Sequence, residues 1–128
     1  MFNRIILIGN LTRDPEIRYT PTGVAVATVP IAVNSRYKQG DDLREETLFI
    51  DAIVFGKQAE TCTQYLNKGR TVLVEGRLRE RRWEYEGQKK SKFEVIANSI
   101  RFFPKREPAQ PDEINQVPPE EYSDIEPF

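Results

Sequence analysis

Leu48-Phe49-Ile50-Asp51-Ala52-Ile53-Val54-Phe55 is the stretch on which the reading of the fold turns. Side chains alternate across a β-strand. One face of this octapeptide is therefore Leu48, Ile50, Ala52 and Val54, wholly apolar, as a barrel interior requires. The other is Phe49, Asp51, Ile53 and Phe55. A solvent face has no packing need for two phenylalanines, so either a second buried surface or a ligand is expected to cover them.

Outward from this strand, the chain reads as short strands separated by turn signals. Arg4–Leu11 opens with Ile5-Ile6-Leu7-Ile8, apolar on both faces and more than one small barrel can absorb, so part of it is expected at a subunit contact. Val24–Val33 is β-branched and alternating, with Pro30 marking an edge or a bulge. Thr71–Tyr85 and Lys92–Phe103 supply the fourth and fifth strands, with Gly87-Gln88 between them. The polar stretch Asn34–Glu46, with Gly40-Asp41-Asp42, reads as a long loop. A single helix is expected over Lys57–Leu66, its apolar face made by Ala59, Cys62 and Leu66, with Gly69 as its C-terminal cap. Five strands with one helix between the third and the fourth is the order of an OB-fold barrel, an all-β class.

The fourth strand repeats the two-faced pattern. Val72, Val74, Gly76 and Leu78 form the inward set, while Leu73, Glu75, Arg77, Arg79, Arg81, Trp83 and Tyr85 form the outward one. Three arginines and two aromatics thus share one face. Arginine attracts phosphate and stacks on bases, and an aromatic ring offers a π-face to any base. Arg36-Tyr37-Lys38 repeats the composition in the long loop, which at a barrel mouth can fold a strand of nucleic acid against the sheet. Stacking needs bases that a duplex hides, and no recognition helix is evident, so single strands are the expected ligand. Few amide side chains are available to read base edges, so sequence preference should be slight.

Charge distribution agrees. The 128 residues carry a net charge of −1, yet all 19 Lys and Arg fall within residues 1–106 with 13 of the 20 acids, a net +6. Residues 107–128 hold seven acids and no basic residue. A basic body with an acidic tail is the asymmetry of a polyanion-binding chain. Six of the nine prolines lie from Pro104 onward among those acids, so residues 104–128 are expected to be disordered, following a domain over 1–103. With no histidine, His-based acid–base or nucleophile chemistry and His-ligated zinc are excluded. One cysteine, Cys62, forms no intrachain disulfide and suits a reducing compartment. The four-residue apolar run near Met1 is too short for a signal peptide or membrane span, so a cytoplasmic, nucleoid-associated protein without a membrane partner is expected. No enzyme activity, metal or cofactor is expected.

Several segments together resemble the bacterial single-stranded DNA-binding proteins. They are Asn3–Leu11, Asp14–Tyr19, Val54-Phe55-Gly56-Lys57, Tyr65–Gly69, Val74–Arg79, Arg82-Trp83 and Asp124–Phe128, in that order along the chain. The resemblance implies an OB-fold homotetramer around which DNA wraps during replication, recombination and repair. It implies base stacking on Tyr37, Phe49, Phe55 and Trp83, and backbone contact at Lys57, Lys68 and Arg82. With the basic clusters above, the set expected to meet the DNA backbone is Arg4, Arg36, Lys38, Lys57, Lys68, Arg77, Arg79, Arg81 and Arg82. The tip Asp124-Ile125-Glu126-Pro127-Phe128 is expected to dock replication, repair and recombination proteins. Departures from the family pattern are Tyr37 and Phe49 where Trp is common, Asp51 where some members are basic, and Glu126 interrupting the usual Asp-Ile-Pro-Phe. Three rival readings stand beside it: an RNA-binding or primosomal OB-fold, a metal-dependent nuclease using Asp14, Asp51 and Glu75, and a purely structural oligomer.

Overall fold

A computed structural model describes residues 1–104. Its elements are β1 (Ile5–Leu11), β2 (Glu16–Tyr19), β3 (Ala25–Gln39), β4 (Asp42–Phe55), α1 (Lys57–Tyr65), β5 (Thr71–Tyr85) and β6 (Gln88–Phe102). The strands follow the order β1-β5-β6-β4-β3-β2, and a short β1–β3 pairing (Asn10 with Ala32, Leu11 with Ile31) closes the sheet. β1, β3, β4, β5 and β6 form the five-stranded barrel expected of an OB-fold, with the helix between β4 and β5. Only β4 and β6 run parallel, at Asp51–Ile53 with Glu94–Ile96.

The core is the inner face of these strands. Val29, Ile31, Val54, Val72, Val74 and Val95 are fully buried, each contributing about 1.5–3 kcal/mol on burial. Ala59, Cys62 and Leu66 of the α1 segment fill one end of the same core. Burial pushes the Cys62 thiol up to about 11, so it stays protonated at neutral pH. The helix ends at Tyr65 because Leu66 turns extended, its N–H bonding to the Cys62 carbonyl at 2.9 Å. Gly69 is therefore not the cap; it lies in the following turn, where its N–H reaches the Leu11 carbonyl at 2.8 Å.

Pro30 sits where β3 changes partner, after the residues that pair with β2 and before those that pair with β1. Its carbonyl accepts from the Thr12 N–H at 3.0 Å, and on that edge the ladder asks for no donor at Pro30. Opposite Glu75 and Gly76, β6 carries one extra residue, Asn98, a β-bulge. The Gln58 amide of α1 satisfies the backbone groups freed there. It donates to the Asn98 carbonyl (3.1 Å) and accepts from the Ile100 N–H (3.2 Å).

Four further expectations are corrected. β2 is a sixth strand, too short for its alternation to register in the sequence. The supposed loop Asn34–Glu46 is a β-hairpin: β3 and β4 stay paired as far as Gln39 with Asp42, across a Gly40-Asp41 turn. Arg36, Tyr37 and Lys38 therefore lie in a strand. β6 begins at Gln88, because Glu86 and Gly87 both take positive φ and turn the chain in two residues. Finally, Leu48 and Leu78 are exposed although they share the core parity, and Ile53 is buried although it does not. Both hairpins outrun the barrel, so inward parity there meets solvent, while Ile53 packs with Val26 and Ile96 in a second small cluster on the outer face. No helix among the described residues is long and apolar enough to cross a membrane. The expected disordered tail, with its tip Asp124–Phe128, lies outside the described residues.

Candidate nucleic-acid interface

The outer face of β3, β4, β5 and β6 gathers most of the residues singled out in the sequence. Unbroken β3–β4 register places Phe49, Asp51, Ile53 and Phe55 on the same side as Arg36 and Lys38. β5 adds Arg77, Arg79, Arg81, Trp83 and Tyr85, and β6 lays Lys90, Lys92, Glu94 and Ile96 directly opposite them. Phe49 is 71% exposed and Trp83 36%. Both rings are open to a stacking partner.

Two carboxylates underlie the cations. Asp51 and Glu94 face each other in register across the parallel strands, a like-charge pair that is unfavourable alone. Lys92 pairs with Asp51, Arg79 pairs with Glu94, and the Arg81 Nε lies 3.7 Å from the second Glu94 oxygen. Arg81 also stacks over Trp83, its Cζ 4.6 Å from the ring centre, and Lys90 lies over Tyr85 at 5.3 Å. Arg79 and Arg81 remain more than two-fifths exposed, so each has further N–H donors free for a ligand.

β2 and the turn before it complete the face from residues to which the sequence assigned no role. Arg13, Glu16 and Arg18 join Asp51, Arg79, Arg81 and Glu94 around a cleft of about 210 Å³. Arg18 and Tyr19 meet Phe55 and Arg79 in an adjoining one of about 430 Å³. The signal was present in Arg18-Tyr19, the same basic–aromatic pairing as Arg36-Tyr37, but nothing local says that this segment folds back beside β3.

Other expected site residues lie elsewhere. Tyr37 and Arg82 have core parity and stand on the opposite side of their hairpins. The Tyr37 hydroxyl meets a Glu46 carboxylate oxygen at 3.4 Å, and Arg82 pairs with Glu80. Arg4 pairs with Glu75. Lys57 begins α1, and Lys68 follows it in a loop held by its N–H bond to Asp14 (2.8 Å), so both stand apart from the arginine ladder. The three carboxylates of the nuclease reading do not converge: Asp14 caps that loop, Asp51 meets Lys92 and Glu75 meets Arg4. Among the described residues no three of His, Cys, Asp or Glu cluster as metal ligands.

The closure of the strands and the position of the helix define an OB-fold chain whose outer sheet face is basic and aromatic. The chain belongs to the Single-strand binding protein family, which residues 2–103 match. It is similar to the Single-stranded DNA-binding protein of Treponema pallidum, 48% identical over 98 residues, covering 77% of this chain and 56% of that protein. The corresponding Thermotoga maritima protein is 46% identical over 128 residues, covering 95% and 90%. This chain thus spans little more than half the length of the Treponema relative. Among solved structures, a Plasmodium falciparum SSB in complex with single-stranded DNA superposes with a TM-score of 0.75 at 30% identity, covering 81% of this chain and 96% of that one.

Proposed function

We propose that this chain binds single-stranded DNA without sequence preference, through the outer face of β3–β6 and the adjoining β2. The observation that carries the reading is the joint placement of Phe49, Phe55 and Trp83 with Arg77, Arg79 and Arg81 on one sheet face. Rings stack on bases of any sequence, and guanidiniums between them neutralise the backbone. Arg36 and Lys38 extend the same face along the β3–β4 hairpin. Tyr37, Arg4, Lys57, Lys68 and Arg82 then serve a strand that passes over a hairpin edge or around the barrel. Such a path suits wrapping.

Assembly into a homotetramer belongs to the same proposal. β1 pairs with β5 along Ile5–Asn10 but with β3 only at Asn10 and Leu11, so its other edge is open over Ile5–Ile8. Ile6 and Ile8 project there exposed, and an open apolar edge is a template for a second strand. In this reading residues 1–103 are the binding and assembly domain. The acidic segment 104–128 recruits replication, repair and recombination proteins through Asp124–Phe128, and the chain acts on DNA as a protecting coat in the cytoplasm.

Titration of the sole tryptophan, Trp83, with oligo(dT) and with heteropolymers at several salt concentrations tests the reading. Quenching that saturates at similar concentrations for different sequences is expected. Binding confined to duplex, or cleavage of labelled DNA with Mg²⁺, would overturn it.

A further inference from the structure

Glu94 is the one charged or polar residue buried among the described residues, at 2% exposure, and it lies on the sheet's outer face. A carboxylate out of water there costs free energy, and Asp51 directly opposite adds to the cost. A surface meant only to attract phosphate is better served by leaving both acids out. What the carboxylate does is divide itself between two cations. One oxygen takes the Arg79 Nη2 and the other lies 3.7 Å from the Arg81 Nε. These arginines are two residues apart on β5, about 7 Å along one strand face. Long side chains otherwise free to explore many rotamers are thereby held from below, with their remaining donors turned to solvent.

Arg81 is held from two sides. It contacts Glu94 and lies over the Trp83 ring, so carboxylate, guanidinium and indole form one connected series. A phosphate contact and a stacking platform are coupled through a single buried acid.

We propose that Glu94 is a positioning residue for DNA binding, its carboxylate setting the Arg79 and Arg81 guanidiniums for the phosphate backbone and Arg81 against Trp83. The proposal rests on the single-strand reading above. Ordering a long side chain at binding costs affinity, so ordering two beforehand is worth on the order of tenfold. Removing a negative charge from a phosphate-binding face acts in the opposite sense and tightens binding. The sign of the effect separates positioning from charge balance.

The experiment compares Glu94→Gln with the unaltered full chain, by oligo(dT) titration at fixed salt, alongside thermal melting. The expected result is affinity about tenfold weaker in a folded variant. Emission from Trp83 in the free protein should shift as it does in Arg81→Ala. In an Arg79→Ala/Arg81→Ala background, adding Glu94→Gln should change affinity less than about twofold, because the residue acts through those side chains. Affinity equal to or tighter than that of the unaltered chain overturns the proposal, as does an equal loss in the double-alanine background. Should Glu94→Gln not fold, Arg79→Lys/Arg81→Lys keeps both charges and loses the guanidinium forks. A loss of about tenfold at an unchanged salt slope is expected there, and unaltered affinity overturns the proposal. An unaltered chain that does not bind oligo(dT) overturns the single-strand reading and this inference together. Binding by that chain with no loss in the variants overturns the inference alone.

Discussion

The Arg81 guanidinium lies 4.6 Å from the centre of the Trp83 ring, and its Nε lies 3.7 Å from a Glu94 carboxylate oxygen. A base can stack on exposed indole beside the cation, or take its place. Either way the ring is the platform. Trp83→Ala should weaken oligo(dT) binding by about 1–3 kcal/mol. Tyr65→Ala, which removes a more exposed ring from α1, should have little effect. Equal losses in the two variants would mean that stacking is not confined to the outer face.

Arg77 shares that face, and no carboxylate lies within ion-pair distance of it among the described residues. For single strands, log K falls with log salt by about 0.7 for each phosphate neutralised. Arg77→Ala should shallow that slope by about this amount, and equally for oligo(dT) and oligo(dC). The check is a titration series at four or more salt concentrations; a slope identical to that of the unaltered chain argues against a phosphate contact.

Ile6 and Ile8 stand exposed beside the open edge of β1. A carboxylate placed in a paired edge must be buried without a partner, which costs several kcal/mol. Ile6→Asp or Ile8→Asp should therefore lower the mass seen in sedimentation equilibrium at micromolar concentration from tetramer toward smaller species. The unaltered chain sedimenting as a monomer would falsify the assembly proposal outright.

Gly76 approaches the neighbouring strand so closely at the bulge that an added Cβ would lie 2.0 Å from the Ile96 carbonyl oxygen. That contact is with backbone and cannot be relieved by a rotamer change. Gly76→Ala should destabilise the fold by about 1–3 kcal/mol through a forced separation of β5 and β6. Denaturant unfolding reads this as a lower midpoint at constant m. A change below about 0.5 kcal/mol, the scale of ordinary surface substitutions, would show that the bulge yields easily.

Strand alternation was legible without a structure because it is local. The parity of Phe49 and Phe55 on β4, and of Arg77, Arg79, Arg81 and Trp83 on β5, follows from a two-residue period that the chain writes into itself. So did the helix over most of its length, the β-strand class and the opposite charges of the two chain segments. Long-range geometry decided the rest. A hairpin that leaves the barrel keeps its alternation but loses the core beneath it. That is why Leu48 and Leu78 face solvent, and why Tyr37 pairs with Glu46 on the side away from Phe49. Asn34–Glu46 reads as a loop because both faces of a hairpin in water are polar, and polarity is the cue for a loop. Glu94 is an ordinary acid in a strand until β4 sets Asp51 against it and β5 brings two arginines over it. Its burial is a property of three strands in register, and no window of sequence contains all three.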